Sequence, residues 1–200
     1  MSDLDIERIP ALEAASNGAY DLDENLMLLK LYQFFPEKAN APVIARVLAK
    51  ALMQLPGNDF LLYMYLIPER VATEAPVLPV VELSARLESC QFQAFWADLV
   101  TSRELVSCAP GFDDAIRKYI LGIVALTYQI IDLKYLGEIL NVSEASALDK
   151  YTNQIGKREG DKVRVTLSDD NQAKVKELDD VSDSRTNDLA KAIRAMNRVI

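Results

Sequence analysis

The residues able to do chemistry are few in this chain, and their spacing argues against a reaction. There is no histidine among the 200 residues, which removes Ser-His-Asp and Cys-His nucleophilic catalysis and the usual histidine-containing metal sites. Cys90 and Cys108, set in segments that read as helical, are too few for a structural zinc site or a disulfide framework. No Gly-rich loop of the phosphate-cradling kinds occurs. The acidic pairs Asp113-Asp114, Asp169-Asp170 and Asp179-Asp180 are sequence neighbours, so they do not flank a scissile bond from opposite sides. They read instead as helix-start residues that complement the positive end of a helix dipole. The expectation is no catalytic residue, no cofactor and no metal.

The element best able to position anything runs from Phe112 to Leu167. Two acids follow Gly111, then a nearly all-apolar stretch to Tyr128 reads as a helix buried on most sides. Ile130 and Ile131 suit a short extended piece. Asp132 is placed to cap a second helix, Leu133 to Leu140, with Leu133, Leu136, Ile139 and Leu140 on one face. Asn141 to Ser143 form a turn, and Ser143 with Glu144 starts a third helix to about Asn153. After Gly160-Asp161, Val163, Val165 and Leu167 alternate with Arg164 and Thr166, the period of a half-buried strand closing a hairpin. Helix, helix, turn, helix, hairpin is the order of a winged helix.

Charge speaks against its reading DNA. The third helix offers Lys150 beside Glu144 and Asp149, and the wing sets Lys157, Arg158, Lys162 and Arg164 against Glu159 and Asp161. Interspersed signs do not make a phosphate-neutralising stripe. The net charge of -8 repels phosphate at long range. A winged helix that docks proteins is the better reading.

The residues also resemble a known family. Phe112-Asp-Asp-Ala-Ile-Arg-Lys-Tyr-Ile, Leu126-Thr-Tyr-Gln-Ile-Ile-Asp132 and Leu136-Gly-Glu-Ile-Leu140 are similar to the k subunits of eukaryotic translation initiation factor 3. So are Ala19-Tyr-Asp-Leu-Asp-Glu-Asn-Leu26, Leu29-Lys-Leu-Tyr-Gln-Phe34 and Cys90-Gln-Phe-Gln-Ala-Phe-Trp96. The resemblance covers about Ala19 to Leu167. Small subunits of the proteasome lid and the signalosome share the architecture, and the Phe-Gln-Ala-Phe-Trp segment favours the initiation factor.

In the first half, helix signals recur between short breaks. Leu4 to Ala15 form one helix, ended by Asn17-Gly18. Asp21 and Glu24 make a capping pair for a second, which carries Leu22, Leu26 and Leu29 and ends at Phe34-Phe35 before Pro36. Asn40 caps a third with Pro42 in its first turn and a stripe of Val43, Val47, Leu48, Ala51 and Leu55. Phe60 to Leu66 follow, then segments carrying Val80, Leu83, Leu87 and Phe92, Phe95, Leu99. Short helices of this kind stack as hairpins, each burying its stripe on the next. Phe92, Phe95 and Trp96 lie on one face, as core; Tyr63 and Tyr65 are assigned to the core as well.

The resulting fold class is mostly α. A HEAT-like helical array over 1–110 runs into a winged helix over 111–168, an arrangement that the resemblance identifies as a PCI domain. An acidic linker and C-terminal helix occupy 169–200. In that helix Leu189, Ile193, Met196 and Ile200 form one stripe, which needs something to pack on. Its own winged helix and a bundle with other subunits both serve.

The resemblance implies a non-catalytic scaffold subunit of initiation factor 3, the complex that binds the small ribosomal subunit and promotes recruitment of messenger and initiator transfer RNA. The l subunit is its foremost partner and other PCI subunits follow. The alternatives are a small PCI subunit of the proteasome lid or signalosome, or a winged-helix DNA-binding regulator. The expected contacts are the wing strand, through Lys162, Val163, Arg164 and Val165 on an edge left open, and the C-terminal stripe. The acidic N-terminus lacks the order of a signal peptide, and the longest apolar run, Tyr119 to Ile131, is short of the ~18 residues of a membrane span. A cytoplasmic protein is expected.

Overall fold

The structure, a computed structural model, describes residues 6–172. The expected helix start at Leu4 and the C-terminal stripe Leu189, Ile193, Met196 and Ile200 lie outside the described residues, as does Asp179-Asp180. Residues up to Leu167 form one compact unit, and a second begins at Ser168.

The first helices are short because prolines and capping residues punctuate the chain. Helix α1 spans Ile9–Ala15 and α2 Leu22–Phe34. The Asp21 carboxylate accepts the Glu24 N–H at 3.0 Å, satisfying a donor that the first turn leaves without an intrahelical partner. Helix α3, Ala41–Leu52, tolerates Pro42 in its first turn and is buried almost all round. Asn40 precedes it, but its side chain makes no cap bond; its backbone carbonyl instead accepts from Val43 and Ile44 at 3.1 and 3.0 Å. Helices α4 (Asp59–Leu66), α5 (Glu69–Ala72), α6 (Val77–Glu88), α7 (Phe92–Thr101) and α8 (Arg103–Val106) complete the array. Helix α3 is its centre, packing against α4, α6 and α8, while α2 packs against α1 and α4, and α6 against α7.

Polar ties lock this array where the apolar pattern alone leaves freedom. The buried Lys50 ammonium donates to the carbonyls of Ser16 and Gly18, both at 2.7 Å, and so fastens the end of α1 to α3. Burial lowers its pKa. Tyr20 donates to the Asp59 carboxylate at 2.7 Å, leaving its oxygen to accept from Tyr63 at 2.9 Å. Tyr32 donates to Glu13. Burial, followed by these bonds, raises the Tyr20 and Tyr32 phenols above their ordinary value.

Beyond Gly111 the chain folds as the winged-helix order requires: α9 (Phe112–Thr127), β1 (Ile130–Asp132), α10 (Leu133–Leu140), α11 (Ala145–Ile155), β2 (Gly156–Glu159) and β3 (Lys162–Val165). Helix α9 buries one face, through Phe112, Ile116, Ile120, Leu121 and Val124, and Leu126 is exposed, so burial on most sides is corrected to burial on one. Asp132 occupies the position before α10 without a side-chain cap bond; the Leu133 N–H donates to the Asp161 carbonyl at 2.8 Å instead. Glu144, not Ser143, immediately precedes α11, and that helix continues two residues past Asn153. Strand β3 ends at Val165, so Leu167 is 57% exposed rather than on the buried face.

The array and winged helix share packing through Trp96. Its indole N–H donates to the Ile139 carbonyl at 2.8 Å, and the Phe95 ring meets it edge-on with centroids 5.2 Å apart. The Arg117 guanidinium lies 5.4 Å from the indole centroid and also donates to the Leu140 carbonyl at 3.1 Å.

Candidate partner-docking surface

Of the acids singled out for chemistry, Asp113 and Asp114 are employed in holding the fold. Asp113 receives two bonds from Arg103, at 2.8 and 2.7 Å; Asp114 receives Arg117 at 3.1 Å and the Tyr151 hydroxyl at 3.4 Å. Both do sit in the first turn of α9. Asp169-Asp170 lie in a turn rather than at a helix start. Cys90 and Cys108 are free thiols, and both fall in turns between helices. Phe92, Phe95, Trp96 and Tyr63 are buried, but Tyr65 is 74% exposed. The reason is angular: α4 packs through Phe60 and Tyr63, and two residues along a helix is ~200° around it.

What remains is surface, and the sheet determines where it is open. The strand order is β1-β3-β2, both pairings antiparallel, with Ile131 opposite Val163 and Lys157 opposite Arg164. The wing strand expected to present a free edge is therefore central, and its ladder is taken on both sides. Val163 and Val165 are buried, so the expected contact through their side chains is corrected: only Lys162 and Arg164 face outward.

The open edges belong to β1 and β2. Hydrogen bonds from Val165 N–H to the Gln129 carbonyl (2.9 Å) and from Leu133 N–H to the Asp161 carbonyl (2.8 Å) set the antiparallel alternation. In that alternation Ile131 faces β3, and the backbone groups of Ile130 and Asp132 point away from it. Edge β2 carries Lys157, Arg158 and Glu159, charges that guard an edge against casual pairing; edge β1 carries the exposed Ile130 beside Tyr128 and Tyr135.

Gly156 is what lets β2 lie so close to β3. A Cβ there would come within 2.8 Å of the Arg164 carbonyl carbon, and backbone cannot swing aside as a side-chain tip can. At the turn, Gly160 has a φ of +65°, a left-handed conformation open to glycine at little cost.

The wing's charges are largely spent internally. Arg164 pairs with Glu159 at 2.7 Å and Arg158 with Asp149 at 3.1 Å, and the bond from Arg164 holds the Glu159 carboxyl below its ordinary range. Each such pair subtracts a cation from what a nucleic-acid backbone would need. Among the described residues no three or more His, Cys, Asp or Glu side chains cluster as a metal site, and no helix is long and apolar enough to cross a membrane.

An array of helical hairpins fused to a winged helix defines a PCI-type fold. A profile of the CSN8/PSMD8/EIF3K family matches residues 38–177. The chain belongs to that family, and relatives it matches over most of its length are initiation factor 3 K subunits. It is 40% identical to eukaryotic translation initiation factor 3 subunit K of Homo sapiens over 151 residues, 76% of this chain and 69% of that protein. Against the subunit K of Danio rerio it is 36% identical over 162 residues, 81% of this chain and 74% of the relative. Against that of Dictyostelium discoideum it is 42% identical over 136 residues, 68% of this chain but 55% of the relative's length.

Proposed function

We propose that the chain is a non-catalytic scaffold subunit of eukaryotic translation initiation factor 3, working in the cytoplasm. Through that complex it serves binding of the small ribosomal subunit and recruitment of messenger and initiator transfer RNA. The carrying observation is identity near 40% to named K subunits over most of the chain, on a fold whose conspicuous side chains are used for packing. Residues 1–110 act as the helical layer, 111–168 as the docking winged helix, and 169–200 as linker and helix.

Two contacts do the docking. One is the sheet: the unpaired edge of β1, with Ile130 exposed on it and Lys162 and Arg164 on the outward face, receives a strand of a neighbouring PCI subunit, foremost the l subunit. The other is the C-terminal stripe of Leu189, Ile193, Met196 and Ile200, which joins a helical bundle with other subunits. The test is direct. Mixed with purified subunit l, the chain will co-elute with it in a stoichiometric complex on size exclusion; separate elution at micromolar concentrations contradicts this partner assignment.

A further inference from the structure

Residues of helices α2 and α4 line an apolar trough. It has a volume of about 480 Å³ and is lined by Leu26, Met27, Leu31, Phe34 and Leu66, with Arg8 and Lys30 alongside. On α2, positions 27, 30, 31 and 34 are spaced as one helix face, and Met27 and Phe34 are 42% and 48% exposed. Helix α4 continues the apolar surface. Leu62 lies one turn before Leu66, and it, Leu61 and Tyr65 are exposed. A helix apolar all round is normally enclosed, yet α4 buries only Phe60 and Tyr63.

The described charges beside the trough have one sign. Among the described residues no carboxylate lines it, and neither Arg8 nor Lys30 is in an ion pair with another of them. On a chain of net charge -8, two cations flanking an apolar floor select for an acidic occupant. Among the described residues no strand borders the trough, so an extended peptide would find no ladder to join and would bury unpaired backbone groups. A helix satisfies its own backbone and meets the floor with side chains alone.

We infer that the α2–α4 trough is a docking site for an amphipathic helix of another protein, with large apolar residues on one face and Asp or Glu along its flanks. The site uses none of the residues assigned to assembly through the wing, so it stands or falls separately from the subunit reading.

The probe is a labelled helical peptide of about five turns, with Leu and Phe at i, i+3, i+4 and i+7 and Glu at the flanking positions. Its control carries Lys in place of Glu. By fluorescence anisotropy on the full chain, the acidic peptide binds at least about 10-fold more tightly than the control. The double variant Arg8→Glu, Lys30→Glu reverses that preference, and Phe34→Ser weakens the acidic peptide while thermal stability is kept. Equal binding of the two peptides, no binding of either, or a preference that ignores the charge reversal overturns the inference. So does concentration-dependent self-association by sedimentation that Phe34→Ser abolishes, because the trough then belongs to a second copy.

Discussion

Trp96→Ala will destabilise the protein by about 3–5 kcal/mol, the range for removing a large buried aromatic side chain, read as a shift of the urea unfolding midpoint. Trp96 is buried between α7 and α10, and three interactions converge on it: the bond to the Ile139 carbonyl, the Phe95 edge and the Arg117 cation. Truncation opens a cavity and leaves a buried carbonyl without its donor. Trp96→Phe separates the two effects, keeping most of the apolar volume and losing the bond, for about 1–3 kcal/mol. A loss below about 1 kcal/mol for the alanine variant would mean that helical layer and winged helix are not held together through this residue.

Proline substitutions at two positions of the same sheet will have opposite consequences. The Val163 N–H lies in the β1–β3 ladder, opposite Ile131, so Val163→Pro removes an internal bond from the central strand. It should cost about 3 kcal/mol or more and disrupt the wing itself. Ile130 points its N–H away from β3, where proline is tolerated on an edge. Ile130→Pro should leave circular dichroism and the urea midpoint nearly unchanged while weakening association with subunit l by at least about 10-fold. A folded Ile130→Pro variant that associates normally would exclude the β1 edge as the interface.

The difference between those positions was hidden in the amino-acid sequence for a physical reason. Alternation of Val163, Arg164 and Val165 identifies a half-buried strand, and that much was legible. Its pairing was not: Ile130 and Ile131 read as an extended piece, but β1 is three residues long and pairs with residues about thirty positions away, while β2, Gly-Lys-Arg-Glu, has no apolar period. Without them β3 reads as an edge.

Local signals fared better. The Asp21–Glu24 cap and the stop before Pro36 concern neighbours in the chain, and they emerge as read, whereas the helix expected to carry Leu55 as far as Pro56 ends at Leu52. Asn40 and Asp132 show the limit, since a residue type suited to capping supplies no bond when its side chain turns elsewhere. The ties of Lys50 to Ser16 and Gly18, and of Tyr20 to Asp59 and Tyr63, join positions more than thirty residues apart, and nothing in a linear pattern marks them. The same holds for the α2–α4 trough. Its lining reads as ordinary amphipathic helix until the packing shows which stripe has been left uncovered.

Affinity purification of the tagged full chain from its own cells, with mass spectrometry of what remains bound after stringent washing, tests the central claim most directly. The account predicts stoichiometric recovery of initiation factor 3 subunits, the l subunit foremost. Recovery of proteasome-lid or signalosome subunits in their place, or of the chain alone, would contradict it.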